Sequence, residues 1–155
     1  MIDSQRHPNP LVALIDGTAR LQGRLKGAFA EARNCTGLGE MEVTVLSAVA
    51  EAQSPPTVPQ IGRALGHPRQ VIQRAANALM ADGLIETLQN PDHKRALLLV
   101  PTAKGAALKE EANQRADAIS AQLLKGVDAD KIKHATQLLE DVRLQLEAHL
   151  RAMKD

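Results

Sequence analysis

Residues Thr57 to Gly83 read TVPQIGRALGHPRQVIQRAANALMADG and carry the signals of two short helices joined by a tight turn. Thr57 and Gln60 have the spacing of a capping box at the start of the first helix, and Gly66 can end it. Pro68 can open the second helix, because the first helical position needs no N–H, and Gly83 can end it. Only two or three residues separate the helices, so the stretch predicts a helix-turn-helix.

Apolar residues recur at helical spacing in both helices and in the segment before them. Met41 to Ala52 reads as an upstream helix that Ser54-Pro55-Pro56 stops. We expect each helix to bury one face against the others. The expected buried residues are Val45, Leu46 and Val49 upstream, Ile61, Ala64 and Leu65 in the first helix of the pair, and Ile72, Ala75, Ala76 and Leu79 in the second.

The period of the sequence changes directly after Gly83. Leu84 to Leu88 has strand character, residues 89–94 supply turn formers, and Ala96 to Val100 is a second strand-length run that Pro101 ends. A buried helical turn is the alternative for the second run, but the proline and the turn residues argue against it. The pattern therefore predicts a two-stranded hairpin, a wing, behind the helix-turn-helix.

The two ends of the chain carry three further helical patterns, over Leu11 to Ala32, over Thr102 to Lys125, and from a cap at Asp128 onwards. The stripe of the first helix runs through Leu11, Leu14, Thr18, Leu21, Leu25, Ala28 and Ala32. The stripes of the other two helices run through Leu108, Ala112, Ala116, Ile119 and Leu123, and through Ile132, Ala135, Leu139, Val142, Leu146 and Leu150. These stripes exceed what one winged unit can cover. Because burying apolar surface is favourable, we expect a second copy of the chain to cover them.

These elements together predict the fold class. We expect one domain, residues 1–155, that is mainly α with a small β-hairpin wing (α+β). Its winged helix-turn-helix lobe should cover about residues 38–101, and long dimerisation helices should flank the lobe at about residues 10–34 and 102–152.

Composition narrows the class of protein. The chain has one Phe, no Tyr, no Trp and a single cysteine, Cys35, which excludes an internal disulfide. No signal peptide or membrane-length apolar run is visible, so we expect a cytoplasmic protein with no membrane contact. Residues 57–105 carry six Lys or Arg against three Asp or Glu, whereas both flanks are slightly acidic. An excess of basic residues in the middle third of the chain is consistent with an anionic partner.

The order of these elements resembles the MarR family of bacterial transcriptional regulators over nearly the whole chain. Thr57 to Gly66 is similar to that family's first helix-turn-helix helix, and Arg69 to Arg74, with Gly83-Leu-Ile85, to its recognition helix and the exit into the wing. Asp92 to Ala96 and Pro101 to Gly105 resemble its wing and the start of the next helix. The resemblance implies a homodimer on palindromic double-stranded DNA, without a cofactor, released by a small-molecule effector whose identity the sequence does not reveal.

Three positions depart from the family pattern. Pro68 stands where a polar cap usually precedes the recognition helix, and Gly39 where the second helix usually has Thr or Ser. The family's wing often has an Asp two residues before its conserved Arg, which orients that arginine. His93 has this position here, and Asp92 beside it can act instead.

The expected DNA-binding residues lie on two elements. The helix after Pro68 carries five polar side chains opposite its apolar stripe: Arg69, Gln70, Gln73, Arg74 and Asn77. Arg pairs with guanine edges and Gln or Asn with adenine, so the first turns, with Arg69, Gln70 and Gln73, should read bases. Arg74 should hold a phosphate or a carboxylate of its own chain. By the resemblance, Arg95 enters the minor groove at the wing tip, with Lys94 adding charge beside it.

Other functions remain as alternatives. A winged-helix fold can also serve as a protein-interaction module, because fold does not determine function. A metal- or redox-sensing regulator would use Cys35 with Glu31, Glu40 and Glu42, but the histidines are scattered and no ligand pair has metal-site spacing. No nucleophile elbow, paired catalytic carboxylates or phosphate-binding glycine loop is present, so we expect no enzyme. In the MarR family the effector binds between the winged unit and the dimer helices.

Overall fold

The computed structural model describes residues 8–93 and 95–153, and these residues form seven helices and one two-stranded sheet. The elements in chain order are α1 (Pro10–Ala28), α2 (Ala30–Asn34), α3 (Glu40–Ala50), α4 (Val58–Leu65), α5 (Arg69–Ala81), β1 (Ile85–Leu88), β2 (Leu98–Pro101), α6 (Ala103–Leu123) and α7 (Ala129–Ala152). The predicted class, mainly helical with a small hairpin, is confirmed. The chain divides after Asp117 into two compact units.

The core of the first unit lies between α3, α4, α5 and the hairpin. The predicted buried residues of α3 and α5 are confirmed, with Leu46, Ile72 and Leu79 almost fully buried. The prediction for α4 is partly wrong: Ile61 is buried, but Ala64 and Leu65 are exposed. Instead, α4 buries Val58 and Gly62 beside Ile61.

Gly62 explains why α4 turns this other face to the core. A Cβ on Gly62 would lie 3.0 Å from the carbonyl oxygen of His67 and 3.9 Å from the Cα of Arg69. The backbone of α4 therefore passes close to the turn and to the start of α5. Because Val58, Ile61 and Gly62 are three and four residues apart, they form the contact face of this eight-residue helix.

The predicted ends at Thr57, Gly66 and Gly83 are confirmed, whereas Pro68 precedes the first helical residue of α5 and does not occupy that position. The Thr57 hydroxyl accepts a hydrogen bond from the Gln60 amide at 3.4 Å, and the Gln60 side chain accepts from the Thr57 amide at 2.8 Å. Gly66 ends α4 with φ +68°, in the left-handed region that favours glycine. After α5, the amide of Leu84 donates to the Leu79 carbonyl at 2.9 Å, a hydrogen bond that closes the helix end.

The wing is an antiparallel hairpin in which Ile85 pairs with Pro101 and Leu88 with Leu98. The second strand begins at Leu98, not at Ala96 as predicted, because the Ala96 amide and carbonyl both bond within the turn. The segment before α4 adds a short rung that the sequence did not predict. There, the Leu99 amide donates to the Pro56 carbonyl at 2.8 Å.

The root of the wing is tied to the ends of α5 and α6. Thr102 donates through its amide to the Leu84 carbonyl at 3.0 Å and through its hydroxyl to the Gly83 carbonyl at 2.7 Å. Lys104 Nζ donates to the Asp82 carbonyl at 2.8 Å. The hairpin is therefore joined to the end of α5 and to the start of α6 through a hydrogen-bonded junction.

The helix predicted over Leu11 to Ala32 is interrupted in the structure. Phe29 lies between α1 and α2 with φ −97° and ψ 12°, outside the helical region. The Lys26 carbonyl accepts a hydrogen bond from the Arg33 guanidinium at 2.6 Å across this break. The continuous apolar pattern did not indicate this interruption.

The terminal helices expose much of their apolar surface in the single chain. The Asp128 cap of α7 is confirmed, because its carboxylate accepts from the Asp130 and Lys131 amides at 3.0 and 3.2 Å. None of the residues of α7 is buried. Exposed apolar side chains include Leu11, Ile15, Leu21 and Leu25 on α1 and Ile132, Leu139, Leu146 and Leu150 on α7. None of the described helices is long and apolar enough to span a membrane.

Candidate nucleic-acid interface

The polar face of α5 is the first part of the candidate interface. Ile72, Ala75, Ala76 and Leu79 face the core, which leaves the opposite side of the helix to solvent. Arg69, Gln70, Arg74 and Asn77 are exposed, and Gln73 is half-buried. The five polar side chains predicted on this helix therefore lie outside the core in the structure, and their contact with DNA stays a prediction.

The start of α5 is suited to an anion. Pro68 occupies the cap position without a side-chain hydrogen bond, and the first turn contains no acidic residue. The amides of Arg69 and Gln70 are the first donors of the helix, at the positive end of its dipole. A phosphate placed there would accept from these amides, because Pro68 provides no side-chain cap that would occupy them.

Arg74 lies at the edge of the polar face of α5. It lines an open groove of about 380 Å³ against the start of α3, with Glu40 and Glu42 on the opposite wall. Both carboxylates already have partners: Lys26 hydrogen-bonds Glu40 and lowers the pKa of that carboxyl, and Glu42 accepts from the Gly39 amide at 3.0 Å. Within residues 8–93 and 95–153 no ion pair joins Arg74 to either. Its charge is available for a phosphate.

The wing presents Arg95 on an exposed turn. No ion pair joins Asp92 to Arg95 among the described residues, so an orienting role of Asp92 stays a prediction. Asn90 holds the turn: its side chain accepts from the Asp92 amide at 3.0 Å and donates to the Ala96 carbonyl at 2.9 Å. Lys94, the other predicted wing residue, lies outside the described residues.

Two contributors to this surface were not singled out from the sequence. Arg63 is exposed in the last turn of α4 and adds a positive charge to the helix-turn-helix. In the sequence, Arg63 is one of the basic residues that give positions 57–105 their excess of positive charge. The sequence indicates Asn90 only as a turn former. Its two hydrogen bonds in the wing depend on how the turn closes, so the sequence does not reveal them.

A cavity of about 200 Å³ lies between the α1–α2 junction, α3 and the first half of α6. Phe29, Val43 and Leu46 are among its apolar lining, and Asn113 and Lys109 are among its polar lining. Lys109 Nζ lies 2.7 Å from a carboxylate oxygen of Glu51 and 2.5 Å from the Asn113 side-chain oxygen. The Lys109 side chain is only 16% exposed. The cavity can therefore hold a small apolar molecule with an acidic group.

The residues considered for metal or redox sensing do not form a metal site. Within the part of the chain that the structure describes, no three His, Cys, Asp or Glu side chains come close enough to hold a metal ion. Cys35 is half-buried, and its thiol donates to the Ala32 carbonyl at 3.1 Å. This contact is an ordinary one for a cysteine at a helix end.

Comparison with known proteins agrees with this architecture. Residues 36–96, from the start of the helical lobe to the wing tip, match the sequence model of the MarR family. An uncharacterized protein of Mycobacterium tuberculosis is 37% identical over 92 residues, which cover 59% of this chain and 64% of that protein. The match thus spans less than two thirds of the curated relative.

Two solved structures share the fold over almost their whole length. CouR from Rhodococcus jostii RHA1, bound to p-coumaroyl-CoA, superposes with a TM-score of 0.72 at 22% identity, over 89% of this chain and 94% of CouR. A mutant MarR from E. coli complexed with operator DNA superposes with a TM-score of 0.71 at 22% identity, over 86% of this chain and 96% of that one. The MarR family model therefore matches the helix-turn-helix and the wing, and the solved structures show that the chain shares their fold.

Proposed function

We propose that this chain is a sequence-specific DNA-binding transcriptional regulator, a repressor that a small-molecule ligand releases from a palindromic operator. The observation that carries the proposal is the exposed polar face of α5, which begins at an open helix end and is followed by a wing bearing Arg95. A recognition helix in the major groove and a basic wing in the adjacent minor groove use both features. The operator-bound MarR structure, with the same fold, supports this use.

The proposal includes a homodimer. In the single chain, α1 and α7 expose Leu21, Leu25, Leu139 and Leu146, among others, at 39–53% of their surface. A monomer would leave these leucines in water, whereas a second copy could bury them at a gain of about 25 cal/mol per Å². We propose that residues about 10–34 and 102–152 form the dimer helices and that about residues 38–101 form the DNA-binding lobe. A two-fold dimer then reads a two-fold symmetric site.

The effector site in this proposal is the cavity beside Lys109. A ligand carboxylate entering the cavity would compete with Glu51 for the Lys109 ammonium. Glu51 directly follows α3, and a few residues later Pro56 bonds to the wing strand, so a change at Glu51 can reach the wing. The CouR structure with p-coumaroyl-CoA supports a ligand-responsive role for this fold. Lys109→Gln should weaken release of DNA by an aromatic carboxylate, as measured by fluorescence anisotropy with and without the carboxylate.

The competing function is a protein-interaction module on the same scaffold. It would need neither the open start of α5 nor an exposed Arg95. We propose that the chain has no catalytic role and that it acts in the cytoplasm, where the chromosome lies. Salt dependence separates the two functions, because DNA binding releases counterions and weakens steeply as salt rises.

Binding-site selection from a pool of random DNA tests the proposal. We expect enrichment of an inverted repeat whose half-site centres lie about one helical turn apart, and footprinting should protect both half-sites. A selection that enriches no sequence, with no mobility shift at low salt, would contradict the proposal.

A further inference from the structure

Two side chains on the polar face of α5 form a hydrogen bond with each other. Gln73 Nε2 donates to Asn77 Oδ1 at 3.0 Å, one helical turn apart. We propose that Asn77 is a positioning residue that orients the Gln73 amide to read one adenine in each half-site. This inference rests on the proposed DNA-binding function and assigns the two residues different roles.

The remaining hydrogen-bonding groups of Gln73 match adenine. A glutamine amide has two N–H donors and one acceptor oxygen, and Asn77 uses one of the donors. One N–H and the oxygen remain on the same planar amide. In the major groove adenine presents N7 as an acceptor beside the N6 amino donor, so both remaining groups are satisfied. Guanine presents two acceptors there, N7 and O6, and would face the Gln73 oxygen with an acceptor.

The places of the two residues along the helix support this division of roles. Gln73 is half-buried in the second turn of α5, whereas Asn77 is exposed and lies one turn further from the helix start. In helix-turn-helix proteins the first turns of the recognition helix contact the base edges. Gln73 is therefore the better placed for a base, and its amide would otherwise rotate about a broad torsion. The bond to Asn77 selects one orientation of that amide.

The test measures base preference and not affinity alone. Operators are prepared with adenine, guanine or 7-deazaadenine at each position in turn, and binding is measured for wild type, Asn77→Ala, Asn77→Asp and Gln73→Ala. One position should show an adenine preference in wild type that 7-deazaadenine reduces, because N7 is lost. Asn77→Ala should lower the adenine-to-guanine ratio there about three- to tenfold, the value of one net hydrogen bond.

The Asn77→Asp variant is the matched control. Its carboxylate still accepts from Gln73, so the adenine preference should persist. Binding to every site should weaken, because the new negative charge opposes the phosphates. For Asn77→Ala, a merely structural role of Asn77 would instead give lower affinity without a change in preference. Because Asn77 is exposed, its variants should unfold at the wild-type temperature.

Three results would overturn the inference. Asn77→Ala could keep the wild-type adenine preference, Asn77→Asp could lose it, or Asn77→Ala could reduce the preference further in a Gln73→Ala background. Failure of the proposed function itself is distinct, because wild type would then bind no operator at all, and the inference would fall with it.

Discussion

Gly105, in the first turn of α6, is the position where the fold is most sensitive to a single added methyl group. A Cβ there would lie 1.9 Å from the Leu84 carbonyl oxygen and 2.8 Å from its carbonyl carbon. Both are backbone atoms, and Leu84 is buried, so neither can swing aside. The Gly105→Ala variant must therefore separate α6 from the wing root, and the bond from the Thr102 amide to the Leu84 carbonyl is the first to be lost.

The size of the effect follows from three contributions. Overpacking costs about 1–3 kcal/mol and a lost hydrogen bond about 1 kcal/mol, while alanine regains up to about 1 kcal/mol of helix propensity. We expect Gly105→Ala to lower the free energy of unfolding by about 1–3 kcal/mol. For a chain of this length that lowers the melting temperature by about 3–10 °C.

Thermal unfolding followed by circular dichroism, at one protein concentration, measures this effect. Gly23→Ala is the matched control, because Gly23 lies inside α1, is exposed, and has nothing within 4 Å of an added Cβ. The control should be stabilised by about 0.5–1 kcal/mol. A Gly105→Ala protein that melts at or above the wild-type temperature would refute the close approach of α6 to the wing root.

The other predictions concern DNA binding and assembly. Arg69→Ala should cost about 1–3 kcal/mol on the selected operator and relax its base preference, whereas Arg95→Ala should weaken selected and random DNA alike and reduce the salt dependence. The opposite pattern in binding titrations would invert the roles of helix and wing. Asn90→Ala should weaken binding as Arg95→Ala does, with no further loss in the double variant; additive losses would mean that Asn90 does not act through Arg95. Leu146→Asp should dissociate or unfold the protein in light scattering, and an unchanged dimer would place the interface elsewhere.

Local signals in the sequence predicted the helix-turn-helix well. The caps of α4 are short-range signals, because Gln60 lies three residues after Thr57 and Gly66 nine residues after it. The buried stripe of α5 repeats at helical spacing. Both features can therefore be predicted without knowledge of tertiary contacts. The same reasoning failed for Ala64 and Leu65. Which face of a short amphipathic helix is buried depends on where its neighbour crosses, and here Gly62 allows α5 to cross on the other side.

The features of the candidate site were likewise predictable from the sequence only in part. The residue types on α5 were readable from the sequence, since the polar face is the complement of the apolar stripe. The groove beside Arg74, the turn held by Asn90 and the pair between Lys109 and Glu51 were not, because each joins segments whose approach depends on the folded chain. The break at Phe29 was also missed, since the apolar pattern continues through it.

Equilibrium binding to a selected operator and to a scrambled DNA of the same length and composition tests the central claim most directly. Fluorescence anisotropy with wild-type protein over a series of salt concentrations supplies both affinities and both salt slopes. The claim predicts that the operator binds about 10³-fold or more tightly than the scrambled DNA, with affinity for both falling steeply as salt rises. Equal affinity for the two DNAs at every salt concentration, or no binding to either, would contradict it.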